Sequence, residues 1–254
     1  MLKILGVFFI ILACCPLSGC NPPPISSTAI SSAGTIGAKL SKPLPKDQHI
    51  LVLSVLRDIP VDIIRENIFL YQPLGAVTLP ADVINPHLTK TMLSTLERHG
   101  YHHLNLLTIN TSNVLNSSDI QQLTTRPYTN LTISAQQFLT QQIKGRHADI
   151  LIILTQNSEQ PLAFDIKCEL SQNNIYHQAS IEPHLNLYKI LIIDTHSWQI
   201  LTWITGSANR DLQNTNFCKP LTAYTPRELN DLKFTVTRIL NKSVAKDLSI
   251  IVSD

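Results

Sequence analysis

Nine histidines are the first residues in this sequence with chemistry to offer, and His99, His102 and His103 are the one group close together along the chain. They straddle Gly100, where a helix gives way to a strand, so their imidazoles are expected to diverge. A closed zinc site needs four ligands converging on one ion. The expectation is a solvated turn, with His99 suited to the negative end of a helix; a zinc or copper site is the alternative. Ser207, His196 and Asp194 are the residue types of a nucleophile, a base and an orienting acid. Asp194 and His196, however, fall in an expected hairpin turn, and Gly206-Ser207-Ala208-Asn209 is not the G-x-S-x-G elbow of a hydrolase. Asp165, Glu169 and Glu182 are scattered acids with no defined partner. A phosphate cradle needs glycines that let backbone approach the anion, and beyond residue 48 only Gly75, Gly100, Gly145 and Gly206 remain. No catalytic residue, metal ligand or cofactor is therefore assigned.

The elements that must position these residues begin with the N-terminus. Met1–Lys3 give a short basic start, and Ile4–Cys15 an apolar run of 12 residues. That suits a signal-peptide core, whereas spanning a bilayer takes about 18 or more apolar residues. Leu17-Ser18-Gly19-Cys20 follows directly. These four residues resemble the lipobox of bacterial lipoproteins, complete at all four positions. The resemblance implies that the Cys20 thiol takes a diacylglycerol, that cleavage follows Gly19, and that the new amine is acylated. Several acyl chains hold firmly, since each buried CH₂ contributes about 0.8 kcal/mol. Residue 21 is Asn rather than the Asp that favours inner-membrane retention in enterobacteria, so the expected location is the outer membrane, facing the periplasm. An ordinary secretory signal with an incidental cysteine is the alternative.

Residues 20–48, with five prolines and many Ser, Thr and Ala, read as a disordered tether with a reach of about 30 Å. Residues 49–254 read as one periplasmic domain. Without Lys3 the chain keeps 19 basic and 18 acidic side chains, and only 15% of residues are charged. That balance argues against nucleic acid, which is bound through clustered Lys and Arg. Hydrophobic residues make up 44% of the chain, ample for a core. Besides Cys20, and Cys14 and Cys15 in the signal, the cysteines are Cys168 and Cys218. In an oxidising compartment such a pair reads as one disulfide, and closing a loop of that length stabilises by roughly 4 kcal/mol on the chain-entropy model. Two buried free thiols are the alternative.

Along the domain, His49–Leu56 reads as a buried first strand. Pro60, Pro73 and Pro80 mark an irregular segment with a short strand at Asn67–Tyr71. Asn85 and Pro86 read as cap and first residue of a helix that carries Leu88, Met92, Leu93 and Leu96 on one side and stops at Gly100. His102–Ile109 is a second strand, Asn110–Leu131 a polar loop, and Ser134 with Gln137 a capping box for a helix closed by Gly145. Ala148–Thr155 is apolar on both faces, as expected of a central strand. Strands at Leu162–Leu170 and Ile175–Ile181 precede a hairpin of His184–Asp194 with Trp198–Thr205, on which Trp198 and Trp203 take opposite faces. Thr225, Pro226 and Glu228 open a long helix, and Leu248–Val252 returns as a short strand.

The expected class is α/β (α+β): a single mixed β-sheet with about three helices packed on it, in the order β-α-β-α-β, then a strand meander and a long C-terminal helix. Residues 49–56, the helix end at 97–103, 148–155 and 188–203 resemble, in order and spacing, the periplasmic domains of the curli-channel, penicillin-binding-protein-activator and Tol-system families. The anchor, the long tether and the lack of an assigned active site point to an envelope accessory. The expected function is a membrane-anchored lipoprotein acting without catalysis in binding, assembly or secretion, its partner another envelope protein or itself. A periplasmic hydrolase or metal-binding protein using His99, His102 and His103 is the alternative.

Overall fold

The computed structural model describes residue 40 and residues 43–67, 70–107, 131–156, 162–170, 176–183, 188–206, 208, 210–212 and 215–253. The expected signal segment, Cys20, most of the expected tether, the stretch 110–130 and Ser207 lie outside the described residues. Three α-helices and ten strands are described: β1 (Ile50–Ser54), β2 (Ile59–Asn67), β3 (Leu70–Leu79), α1 (Ala81–Arg98), β4 (Leu104–Leu106), α2 (Ile133–Ile143), β5 (Ile150–Gln156), β6 (Phe164–Leu170), β7 (Tyr176–Pro183), β8 (Tyr188–Asp194), β9 (Ile200–Gly206), β10 (Arg210–Leu212) and α3 (Pro226–Val252). Two 3₁₀ turns, Thr215–Phe217 and Leu221–Ala223, precede α3.

The α+β class is as expected, but the strands divide between two five-stranded sheets rather than one. The first runs β4-β1-β5-β8-β9 and the second β3-β2-β6-β7-β10. The neighbour order is shared: β1, β5, β8 and β9 correspond to β2, β6, β7 and β10, each strand being consecutive in sequence with its counterpart. Within the first sheet β1 runs parallel to β4 and β5, and β5-β8 and β8-β9 are antiparallel. In the second, β2 is parallel to β6 and the other pairs are antiparallel.

The break after β1 has a cause in side chains. Leu56 N–H donates to Asn85 Oδ1 at 3.0 Å, and Asn85 Nδ2 donates to Leu56 O at 2.8 Å. Ser54 Oγ donates to the same Asn85 oxygen at 2.6 Å. Asp58 Oδ1 accepts from Ala81 N–H at 2.8 Å, satisfying a free donor in the first turn of α1. Backbone groups that would continue the ladder are thus taken up by α1. Asn85 is accordingly not a helix cap, and Pro86 not a first helical residue. Asn85 is buried inside a helix that starts at Ala81, and Pro86 lies within that helix on its exposed side.

The proline-marked segment is not irregular but the β2-β3 hairpin. Pro60 pairs with Thr78 before β6 joins, and Pro73 sits at a register shift on the edge strand β3, positions where a missing N–H is tolerated. Leu248–Val252 is helix, not strand: Leu248, Ile251 and Val252 continue the buried stripe of Leu232, Val236, Ile239, Leu240 and Val244. The cap of α2 is Thr132, whose side chain accepts from Ala135 N–H at 3.3 Å, not Ser134. The Thr225–Glu228 capping box on α3 is present as read. Gly100 and Gly145 follow α1 and α2 at φ +85° and +78°, the left-handed conformation that ends helices at little cost for glycine.

Period-two alternation sorts the first sheet into two cores. Val52, Ile152, Leu154 and Ile192 face α1, α3 and the inner side of the second sheet. Leu51, Leu53, Leu151, Ile153, Leu191 and Ile193 face α2 through Ala135 and Leu139. Burial on both faces explains the continuous apolar runs of β1, β5 and β8. Trp198 and Trp203 do not take opposite faces: both pack, partly buried, against the α2-side core. Trp198 precedes β9 at φ +57°, and the β8-β9 register shifts at Ile192/Ile193, so a strand-like count between the two tryptophans fails. The folded part takes in Leu44, which is buried, and Leu40, which packs against the same core.

Candidate functional site

His99, His102 and His103 do not act as one group. His99 is the C-cap of α1, and its carbonyl accepts from Lys46 Nζ at 2.9 Å. His102 is exposed. His103 instead stacks beside His49, with ring centroids 4.8 Å apart, and the His147 ring lies 6.5 Å from His49. The cause is topology. His49 and His103 immediately precede the parallel strands β1 and β4, and His147 lies three residues before β5, so strand pairing gathers them at one sheet end. Asp149 joins them there: its Oδ2 accepts from His49 N–H at 2.9 Å and lies 3.5 Å from His49 Nδ1. Sequence spacing alone misses His49 and His147; the signal available was a histidine just ahead of each parallel strand. A shallow hollow of about 460 Å³ opens here, with Arg146 and Asn105 on its wall. Arg146 Nη1 donates to Leu106 O at 3.0 Å. Among the described residues, no group of three His, Cys, Asp or Glu is arranged to hold a metal ion.

Asp194 belongs to the β8-β9 turn. Its Oδ1 accepts from His196 N–H at 2.9 Å, Ser197 N–H at 2.7 Å and Ser197 Oγ at 2.9 Å. Partial burial raises its pKa, and these donors outweigh that and leave it below the ordinary carboxylate value. The carboxylate is thus engaged in closing the turn. Glu182, expected to lack a partner, pairs with Lys167 at 2.9 Å, and Glu66 lies 3.6 Å from the same ammonium. The Glu182 hydrogen bond raises the Lys167 pKa against the pull of its own burial.

Cys168 on β6 and Cys218 are joined by a disulfide with Cα atoms 5.6 Å apart, both buried. The bond fixes the 3₁₀ segment to the second sheet, where Tyr224 Oη also donates to Phe217 O at 2.5 Å. Gly75 on β3 lies so close to Leu221 of this segment that a Cβ would overlap the leucine side chain.

A second concavity, a groove of about 500 Å³, lies between α1 and α3. Leu79, Val83, Ile84 and Phe234 form its apolar walls. Phe234 is 68% and Val83 51% exposed, high for such side chains. His87, Lys233 and Arg238 stand along it, and no acidic side chain lines it. Asn241 also lines it, with Oδ1 buried and without a partner among the described residues.

No family model matches the chain, and no curated protein does. Among solved structures, the PelC dodecamer from Paraburkholderia phytofirmans is similar at 8% identity, over 87% of this chain and 99% of that chain, with a TM-score of 0.38. Lipoprotein GNA1162 from Neisseria meningitidis is similar at 12% identity, over 76% of this chain and 98% of that chain, with a TM-score of 0.27. Protein XCC0632 from Xanthomonas campestris is similar at 7% identity, over 87% and 90% of the two chains, with a TM-score of 0.27. Likenesses at this level assign neither family nor function.

Proposed function

We propose that the chain is a lipid-anchored protein of the bacterial envelope, tethered through Cys20, that acts by binding another envelope protein. The observation that carries this reading is the sequence Leu17-Ser18-Gly19-Cys20 placed directly after a 12-residue apolar run. On this reading residues 1–19 are removed, residues from Cys20 to about 48 carry the domain away from the lipid surface, and the protein faces the periplasm from the outer membrane. The Cys168–Cys218 disulfide supports an oxidising compartment, since such bonds persist outside the cytosol. Among the described residues no helix is long and apolar enough to cross a membrane. The test is incorporation of radiolabelled palmitate by the full chain and by Cys20→Ser, with membrane fractionation. The label is expected on the parent chain and absent from the variant, which should leave the membrane fraction. A variant labelled as strongly as its parent refutes the anchor.

A further inference from the structure

We infer that the α1/α3 groove is the docking site for an apolar peptide segment flanked by acidic residues, supplied by an envelope protein; this rests on the binding role proposed above. Two observations converge on that occupant. First, the groove leaves large apolar side chains exposed to solvent. Phe234 and Val83 stand on facing helices with Leu79 and Ile84 buried beneath them. Aromatic anchors seated in a groove of this kind carry a large share of binding energy in protein interfaces, and an amphipathic helix laid in a groove is a recurring mode.

Second, the charge along the groove has one sign. Lys233 and Arg238 lie on α3, and no carboxylate lines the groove to neutralise them. Neither Lys233 nor Arg238 has a carboxylate partner among the described residues. Complementarity then selects acidic flanks on the occupant and rejects basic ones. The volume of about 500 Å³ and the concave form fit an inserted side-chain ridge rather than the flat face of a bilayer.

The experiment places benzoylphenylalanine at position 234, and separately at position 83, in the full lipidated chain expressed in its native cells. Irradiation is followed by mass-spectrometric mapping of the cross-linked peptide. Position 133 on α2, where Ile133 is 74% exposed, is the control. The expected result is one cross-linked protein segment, apolar with Asp or Glu flanks, captured from positions 234 and 83 and not from 133. Adding Lys233→Glu and Arg238→Glu should lower the adduct yield about tenfold or more, and replacing the segment's acids by Lys should restore it. An adduct between two copies of this chain, an adduct with phospholipid alone, a segment without acids, no adduct, or a yield indifferent to the charge reversals would each overturn the inference. Palmitate labelling of Cys20 is read in the same cells. Its persistence without a peptide adduct removes the groove assignment and leaves the anchor, whereas loss of label with the adduct retained does the reverse.

Discussion

Asp247 on α3 and Tyr188 on β8 form a buried polar pair whose energetics can be tested without knowing any partner. Tyr188 is fully buried and Asp247 is 6% exposed. The phenol donates to Asp247 Oδ2 at 2.5 Å. Gly206 lies against both, so close that a Cβ there would overlap the carboxylate and the ring, and the site cannot relax in that direction. Burial pushes the Asp247 carboxyl up, against the Tyr188 hydrogen bond and Lys246, which favour its charged form. A raised carboxyl means that the folded state binds more protons than the unfolded one. The Asp247 contribution is therefore fully present below the ordinary carboxylate pKa and is lost as pH rises through the raised folded value. Tyr188→Phe removes the donor and leaves the buried charge with one partner fewer. Hydrogen bonds to charged groups contribute roughly 1.5–3 kcal/mol. For a folded region of this size that is a fall in Tm of roughly 3–12 °C at pH 7. Asp247→Asn keeps an oxygen to accept from Tyr188 and removes the charge, so it should cost less than Tyr188→Phe at pH 7. Relative to the parent it should improve as pH rises from about 4, the ordinary carboxylate value, through the raised folded value. Circular-dichroism melts of the two single variants and the double variant across that range decide the matter. An Asp247→Asn protein as destabilised as Tyr188→Phe at pH 7, or a difference from the parent that does not change with pH, would refute the reasoning.

Two further measurements bear on the fold. Replacing Cys168 and Cys218 by Ala removes a cross-link over a sequence separation of 50, and should cost about 4 kcal/mol on the chain-entropy model, or roughly 10 °C in Tm; a parent protein whose melt is unmoved by reductant would contradict it. At the start of α3, Glu228 is held down to about 2 by Lys219, at 2.7 Å, and by the Thr225 donors. A depressed carboxyl contributes stability above its ordinary pKa and loses it as pH falls toward about 2, so Glu228→Gln should flatten the acid side of the stability curve between about pH 4.5 and 2. Thr225→Ala should cost about 1 kcal/mol at neutral pH, and no change in urea midpoint would count against the capping box.

What could be read from sequence was what depends on neighbours along the chain. The α3 cap needs only Thr225, Pro226 and Glu228, and β5 announces its central place by being apolar at every position from Ile150 to Leu154. The β8-β9 hairpin was legible for the same reason, as two strong runs around Thr195-His196-Ser197. What escaped depends on residues far apart. Pro60 and Pro73 look like strand breakers until β3 is known to be an edge and β6 to join after Pro60. Asn85 and Pro86 have the chemistry of a helix start, but Asn85 is needed by Leu56 and Ser54, 29 and 31 residues away. His49 and His147 meet only because β1 and β5 are paired. The groove could not be read at all, because the α3 pattern that buries Val236 and Leu240 gives no reason for Phe234 to stand exposed between α3 and α1.

The same side chains that interrupt the first sheet also prepare that groove. Asp58 and Asn85 fasten the first two turns of α1 to the end of β1 and the segment leading to β2 through four hydrogen bonds, from Ala81 N–H, Leu56 N–H, Ser54 Oγ and Asn85 Nδ2. Those turns carry Val83 and His87 on their outer side, with Leu88 and Met92 packed inward beyond them. On the opposite wall, Phe234 and Arg238 rise from a helix whose Leu232, Val236 and Leu240 are locked in the core. Both walls are therefore set by buried contacts before anything binds. A site whose walls are already ordered avoids much of the entropy cost of ordering them on association. The strand break thus has a structural consequence beyond dividing the sheet: it supplies the hydrogen bonds that hold the start of α1, which carries Val83, against the end of β1 and the segment before β2.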